Sequence, residues 1–102
     1  MYAVARLNSF DPTKLAAAGD ALEQFDQAHR TQPGYAGTVV VDLHEGRRLI
    51  LNLWDSEEHS ATALSVLGPD AGRVLNPLMS DPSELIGVGT VTFTDLIPSP
   101  RS

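Results

Sequence analysis

The stretch Arg48–His59, RLILNLWDSEEH, constrains this chain more than any other. Leu49, Leu51 and Leu53 alternate with Arg48, Ile50, Asn52 and Trp54. Side chains of a strand point to opposite faces in turn, so this is a strand with one apolar and one mixed face. Asp55 and Glu58 follow in the D-x-x-E spacing of a helix start. There an aspartate caps a free backbone N–H and the glutamate reaches back to it. A strand therefore runs straight into a helix, with the only tryptophan, Trp54, at the junction.

Other elements fall into place around it. Tyr2–Ser9 alternates, with Ala3, Ala5 and Leu7 on one face and Tyr2, Val4, Arg6 and Asn8 on the other, and reads as the first strand. Asp11-Pro12 starts a helix, because proline at the first helical position gives up no needed hydrogen bond. The spacing predicts one helix over 12–31, with Leu15, Ala18, Leu22, Phe25 and His29 on one stripe. Gln32-Pro33-Gly34 ends it. The second strand, 37–44, is apolar on both faces and is expected to be buried on both. Glu45-Gly46 is a tight turn, making strands two and three an antiparallel hairpin. The second helix is predicted over 56–67, with Ser60, Ala61, Leu64 and Leu67 inward. Gly68-Pro69 should break it, leaving a short helical piece over 69–76 and a loop over 80–83. The last strand is predicted over 84–96, with Gly87 and Gly89 marking a bulge or a close backbone approach.

The element order β-α-β-β-α-β is a split βαβ pattern: α+β, ferredoxin-like, a four-stranded antiparallel sheet with two helices on one face. At 102 residues it is read as a single domain over 1–97, with 98–102 a flexible Pro/Ser-rich tail. Ala3, Ala5, Leu7, Leu49, Leu51 and Leu53 would leave the second sheet face as a large apolar patch. The expectation is a homodimer packing sheet on sheet.

Composition narrows the function classes. Thirteen acidic residues against seven basic ones give a net charge of −6 with no basic stripe, which argues against nucleic acid as a partner. Zero cysteines excludes disulfides, thiolate metal sites and a cysteine nucleophile. The start MYAVARLNSFD carries no long apolar run, and no stretch approaches a membrane span, so a cytoplasmic protein with no membrane partner is expected. The three histidines lack metal-ligand spacing, and the glycines form no phosphate-binding fingerprint.

Three features together resemble the antibiotic biosynthesis monooxygenase-like family of dimeric α+β barrels: the first strand followed by a long helical segment, the turn Pro33-Gly34-Tyr35-Ala36-Gly37 entering strand two, and the third-strand signature Trp54-Asp55-Ser56-Glu57-Glu58-His59. The likeness spans about residues 2–96. It implies a pocket between sheet and helices, lined by the strand-three tryptophan, here Trp54, and a strand-one polar residue, here Arg6 or Asn8. It also implies that strands one and three are neighbours. The haem-degrading branch of that family needs a histidine on the second helix where this chain has Leu64, which argues against haem ligation.

On this reading Asn8, Asn52, Trp54 and His29 are the candidate catalytic residues, and Arg6, Phe25, Trp54 and Leu64 the candidate substrate contacts; no metal site is expected. Trp54 would stack on a flat ligand, or else fill the core. Arg6, Asn8 and Asn52 would cluster by Trp54 and hold an anionic oxygen, or else satisfy one another. His29 would accept a phenol proton if it reaches the pocket, and otherwise is a satisfied residue near a helix end. His44 and His59 are expected in solvent. Asp42 is expected at a rim or dimer contact, paired with an arginine across the hairpin, and the segment 68–83 as a lid or a plain surface connection. The implied activity is oxidation of a small hydrophobic, aromatic, polyketide- or quinol-like molecule without a cofactor, molecular oxygen being the co-substrate. The rival reading is a non-catalytic dimeric barrel that binds a hydrophobic ligand or serves as an assembly module. An open pocket would favour ligand binding, and a closed, internally satisfied core the rival.

Overall fold

The computed structural model describes residues 1–95. The expected last residue of strand four, Leu96, and the tail 98–102 lie outside them. Strands β1 (Tyr2–Phe10), β2 (Tyr35–Asp42), β3 (Arg47–Trp54) and β4 (Met79–Thr90) form one antiparallel sheet in the order β2-β3-β1-β4. Three helices accompany it, α1 (Pro12–Ala16), α2 (Ala21–Arg30) and α3 (Glu57–Val74). The architecture is ferredoxin-like, with the first helical connection in two pieces.

That break corrects the single helix expected over 12–31. Asp11 caps α1 by accepting from the N–H groups of Thr13 and Lys14, as its position before proline implies. The helix then ends at Ala16, and in the turn that follows Gly19 takes a φ of +65°, the left-handed conformation that glycine adopts at little cost. Phe25 and His29 still face inward from α2, because the stripe resumes after the break.

The second helix departs in the other direction. α3 runs unbroken through Gly68-Pro69. Proline removes the bond to the carbonyl four residues back, on Ser65, and both residues lie on the exposed side of the helix, where the lost bond costs least. The cap is Ser56 rather than Asp55: its Oγ accepts from the His59 N–H at 3.2 Å. The residues expected inward, Ser60, Ala61, Leu64 and Leu67, do face the space between sheet and helices, but that space is open. Ala63 and Leu67 are buried, whereas Ala61 is exposed and Leu64 is 61% exposed. His59 is not in solvent. It is half-buried, its Nδ1 2.8 Å from Ser56 Oγ and its ring packed against Gly34, where φ is +80°.

β4 begins five residues early. The expected loop 80–83 belongs to the strand, and residues 91–95 lie beyond its end. Pro82 is tolerated because β4 is an edge strand with register shifts on either side of Ser9. A further shift pairs Ala5 with Gly87 but Arg6 with Leu85, leaving Ile86 as the extra residue of a bulge. No close approach accompanies it, for a Cβ on Gly87 or Gly89 would meet nothing within 4 Å. β2 is the other edge, so it is not buried on both faces as expected: Val39, Val40 and Val41 are 36%, 50% and 43% exposed. Asp42 lies opposite Arg48 in register without forming an ion pair; its carboxylate accepts from the His44 N–H at 2.8 Å and fastens the turn. Among the described residues the one ion pair is Asp70–Arg73 on α3.

The two sheet faces differ. One, carrying Tyr2, Val4, Arg6, Asn8, Arg48, Ile50, Asn52 and Trp54, lies under the helices. The other tapers from Val39, Val41, Leu49, Leu51 and Leu53, through Ala3 and Ala5, to Gly87 and Gly89. Leu53 is buried, and Leu49 and Leu51 are half-buried within the chain itself. Buried apolar residues among those described are Phe10, Leu53, Trp54, Ala63, Leu67 and Leu75. The core is this small because much of the apolar lining between sheet and helices borders open space.

Candidate functional site

That space is a cleft of about 730 Å³, within the usual range for a small-molecule site. Its floor is the mixed face of β1 and β3, and its walls are α2 and α3. All the candidate residues, Arg6, Asn8, Phe25, His29, Asn52, Trp54 and Leu64, line it. The segment expected as a lid or surface connection instead builds part of the wall, with Gly68, Ala71, Leu75, Met79 and Ser83.

Antiparallel register spreads the polar candidates along the cleft rather than gathering them by Trp54. Tyr2 faces Trp54, Val4 faces Asn52, Arg6 faces Ile50 and Asn8 faces Arg48. Four residues of strand therefore separate the level of Asn52 from that of Asn8, about 13 Å at roughly 3.3 Å each.

At the first end, Trp54 is both wall and core. It is 4% exposed and packs with Ala63 and Leu67. Tyr35 meets it edge-on, ring centroids 5.8 Å apart, and the His29 ring lies 6.5 Å away. Thr38 Oγ1 donates to Asn52 Oδ1 at 2.9 Å. A hydroxyl has one proton, so the 2.7 Å contact between Tyr35 Oη and Thr38 Oγ1 is donated by the tyrosine. The relay Tyr35–Thr38–Asn52 occupies the amide oxygen and leaves the amide N–H groups over.

His29 has a defined tautomer. Its Nδ1 sits 3.1 Å from the Phe25 carbonyl, which can only accept, so Nδ1 carries the proton. In the neutral ring the lone pair is then on Nε2. The Phe25 ring abuts the imidazole edge-on at 4.8 Å.

At the far end, Ser83 Oγ donates to Asn8 Oδ1 at 2.6 Å and accepts from Arg6 Nη1 at 3.4 Å. Asn8 is 4% exposed. Phe10, beneath it, carries the Arg48 guanidinium 5.7 Å over its ring. No fully buried side-chain polar atom among the described residues lacks a partner. Hence the unpartnered N–H groups of Asn8, Asn52 and Trp54, and Nε2 of His29, are not fully buried, and all four residues line the cleft.

One carboxylate on the wall is perturbed. Burial raises the pKa of Asp26 above its usual 3.8, and the charges of His29, Arg30 and Arg48 pull it partly back. Among the described residues no group of histidines and carboxylates could hold a metal ion. Among the described residues no helix is long and apolar enough to cross a membrane.

Residue-level reading of the sequence passed over Tyr35, Thr38, Arg48, Asp26 and Ser83 as site residues. Strand parity already places Arg48 on the face of Asn52, and helical spacing places Asp26 between Leu22 and His29. Ser83 carried no signal, because its segment reads as a loop.

No family model and no curated protein sequence matches the chain. Solved structures do. NE2512, a protein of unknown function from Nitrosomonas europaea, superposes with a TM-score of 0.76 at 13% identity over 94% of this chain and 93% of its own. SnoaB, a cofactor-independent oxygenase from Streptomyces nogalater, gives 0.67 at 16% identity over 94% and 96%. A structure described as an antibiotic biosynthesis monooxygenase gives 0.70 at 11% identity over 92% and 99%. The chain therefore has the ferredoxin-like fold of antibiotic biosynthesis monooxygenase structures, a likeness of architecture at these identities.

Proposed function

We propose that the chain is a cofactor-independent oxygenase that takes a small aromatic hydroxylated molecule, of quinol or anthrone type, into the sheet–helix cleft. The observation that carries this reading is the meeting, in one cleft, of a free imidazole lone pair on His29 with the flat wall of Trp54 and the unclaimed amide N–H groups of Asn52. The shared fold with SnoaB supports it. His29 Nε2 takes the acidic proton of the substrate, and Asn52 donates to the resulting enolate or phenolate oxygen, holding the charge where it develops. The anion passes an electron to O₂, the radical pair closes a C–O bond, and loss of water leaves a ketone. The balance is R₂CH₂ + O₂ → R₂C=O + H₂O, with the oxidant consumed and no reductant required.

The active form in this proposal is a cytoplasmic homodimer joined through the tapered face. The bulky Val/Leu side of one copy would meet the Ala/Gly side of its two-fold mate, as a self-complementary interface requires. Space around Gly87 and Gly89 that no described residue fills supports this.

Oxygen uptake with a panel of hydroquinones and anthrones tests the activity. Uptake above the uncatalysed rate that is lost in His29→Gln supports it. Ligand binding without uptake across the panel overturns it in favour of a binding module.

A further inference from the structure

The far end of the cleft has a use that the oxygenation reading leaves unassigned. Arg6 and Arg48 lie on the sheet floor; the strand carboxylate opposite Arg48 in register, Asp42, accepts from the His44 N–H and forms no ion pair with the arginine. The wall supplies Asp26, His29 and Arg30 from α2 and Glu57 from α3. Asp26 is close enough to Arg48 to feel its charge, but neither arginine is ion-paired. Arg6 spends one N–H on a long 3.4 Å bond to Ser83. Leaving guanidinium groups half-buried and unpaired is costly, and a chain with thirteen acidic residues has carboxylates to spare. Between them Asn8, 4% exposed, has its oxygen tied down by Ser83 and its amide N–H groups unpartnered.

We propose that Arg6, Arg48 and the Asn8 amide form a carboxylate subsite, so that the ligand is an aromatic acid lying lengthwise with its carboxylate at this end and its ring beside Trp54 and His29. The inference rests on the cleft being the ligand site. Guanidinium forks match the two oxygens of a carboxylate, and the amide adds a neutral donor in the same place. Ser83 is a positioning residue: by holding Asn8 Oδ1 it leaves Nδ2 for the ligand. The roughly 13 Å between the levels of Asn8 and Asn52 sets how far the acid stands from the oxidised carbon.

Calorimetric titration of the full chain with 2-naphthoate and with its methyl ester tests this. The acid is expected to bind between about tenfold and a hundredfold more tightly than the ester. Arg6→Gln and Arg48→Gln should abolish that preference, with unchanged circular dichroism showing that the variants fold. In the unaltered chain the acid's affinity should fall as salt is raised and the ester's should not. Equal binding of acid and ester, a preference that survives the double substitution, or a preference insensitive to salt would each overturn the subsite. Ester binding without a preference for the acid leaves the cleft standing as a ligand site; binding of neither probe overturns both readings.

Discussion

Gly34→Ala probes how the turn before β2 holds the site. Gly34 adopts φ +80°, where an L-residue costs about 1–2 kcal/mol. A Cβ there would also stand 2.6 Å from His59 Cβ and overlap the root of its ring, which cannot swing clear without moving the α3 backbone or leaving its rotamer. Displacing the imidazole gives up its contact with Ser56 at the N-cap, worth about 1 kcal/mol. The total is about 3 kcal/mol. His59→Ala alone should cost about 1 kcal/mol. In the double variant the overlap is gone and only the backbone and cap terms remain, about 2–2.5 kcal/mol, so the two changes should couple by roughly 1.5 kcal/mol. Urea unfolding with unchanged m-values gives all three numbers. The Gly34 carbonyl accepts from the Asp55 N–H at 2.8 Å, and Tyr35 begins β2, so the emission of the sole tryptophan should shift in the single variant and recover in the double. Strict additivity, or a loss below about 0.5 kcal/mol for Gly34→Ala, would refute the reasoning.

Other outcomes follow from the site and the sheet. His29→Gln should lower kcat for oxygen uptake by about 10²- to 10⁴-fold with little change in KM, and an unaltered kcat would remove the histidine from the chemistry. Asp26 has a folded-state pKa above 3.8, so its contribution to stability is full below that pH and is lost as pH rises through the folded-state value. Asp26→Asn should therefore gain stability relative to the unaltered chain between about pH 3 and about pH 7, read as diverging urea midpoints; parallel midpoints would contradict it. Gly87→Leu has room within its own chain and should leave the circular dichroism unchanged while halving the mass seen by light scattering; a parent chain already monomeric at micromolar concentration would dispose of the dimer.

The strands were legible where both faces declare themselves. β1, β3 and the turn between β2 and β3 alternate cleanly, and the parity that puts Asn52 and Trp54 together is visible in seven residues. Helix ends were less so, because Gly19 and Pro69 carry opposite outcomes from similar local signals. Gly19 turns the chain in the exposed stretch between α1 and α2, whereas Pro69 sits on the exposed side of a helix held by Ala63, Leu67 and Leu75. The start of β4 was hidden because Pro82 reads as a loop residue unless the strand is known to be an edge. At the site, the residues named from the sequence all line the cleft, but they do not gather at one end of it. Opposite strand directions set Asn8 beside Arg48 and Asn52 beside Val4, which no single strand reveals. Ser83, which orients Asn8 from the far strand, depends on a bulged register.

The irregular border of the sheet has a consequence of its own. An even row of free N–H and C=O groups invites another strand, and repeated invitation builds fibres. β4 offers no such row: Ile86 bulges out, Pro82 has no N–H, and the spacing slips again near Ser9. On that side a crowded solution of these chains cannot grow strand upon strand, and the molecules are left to meet broadside.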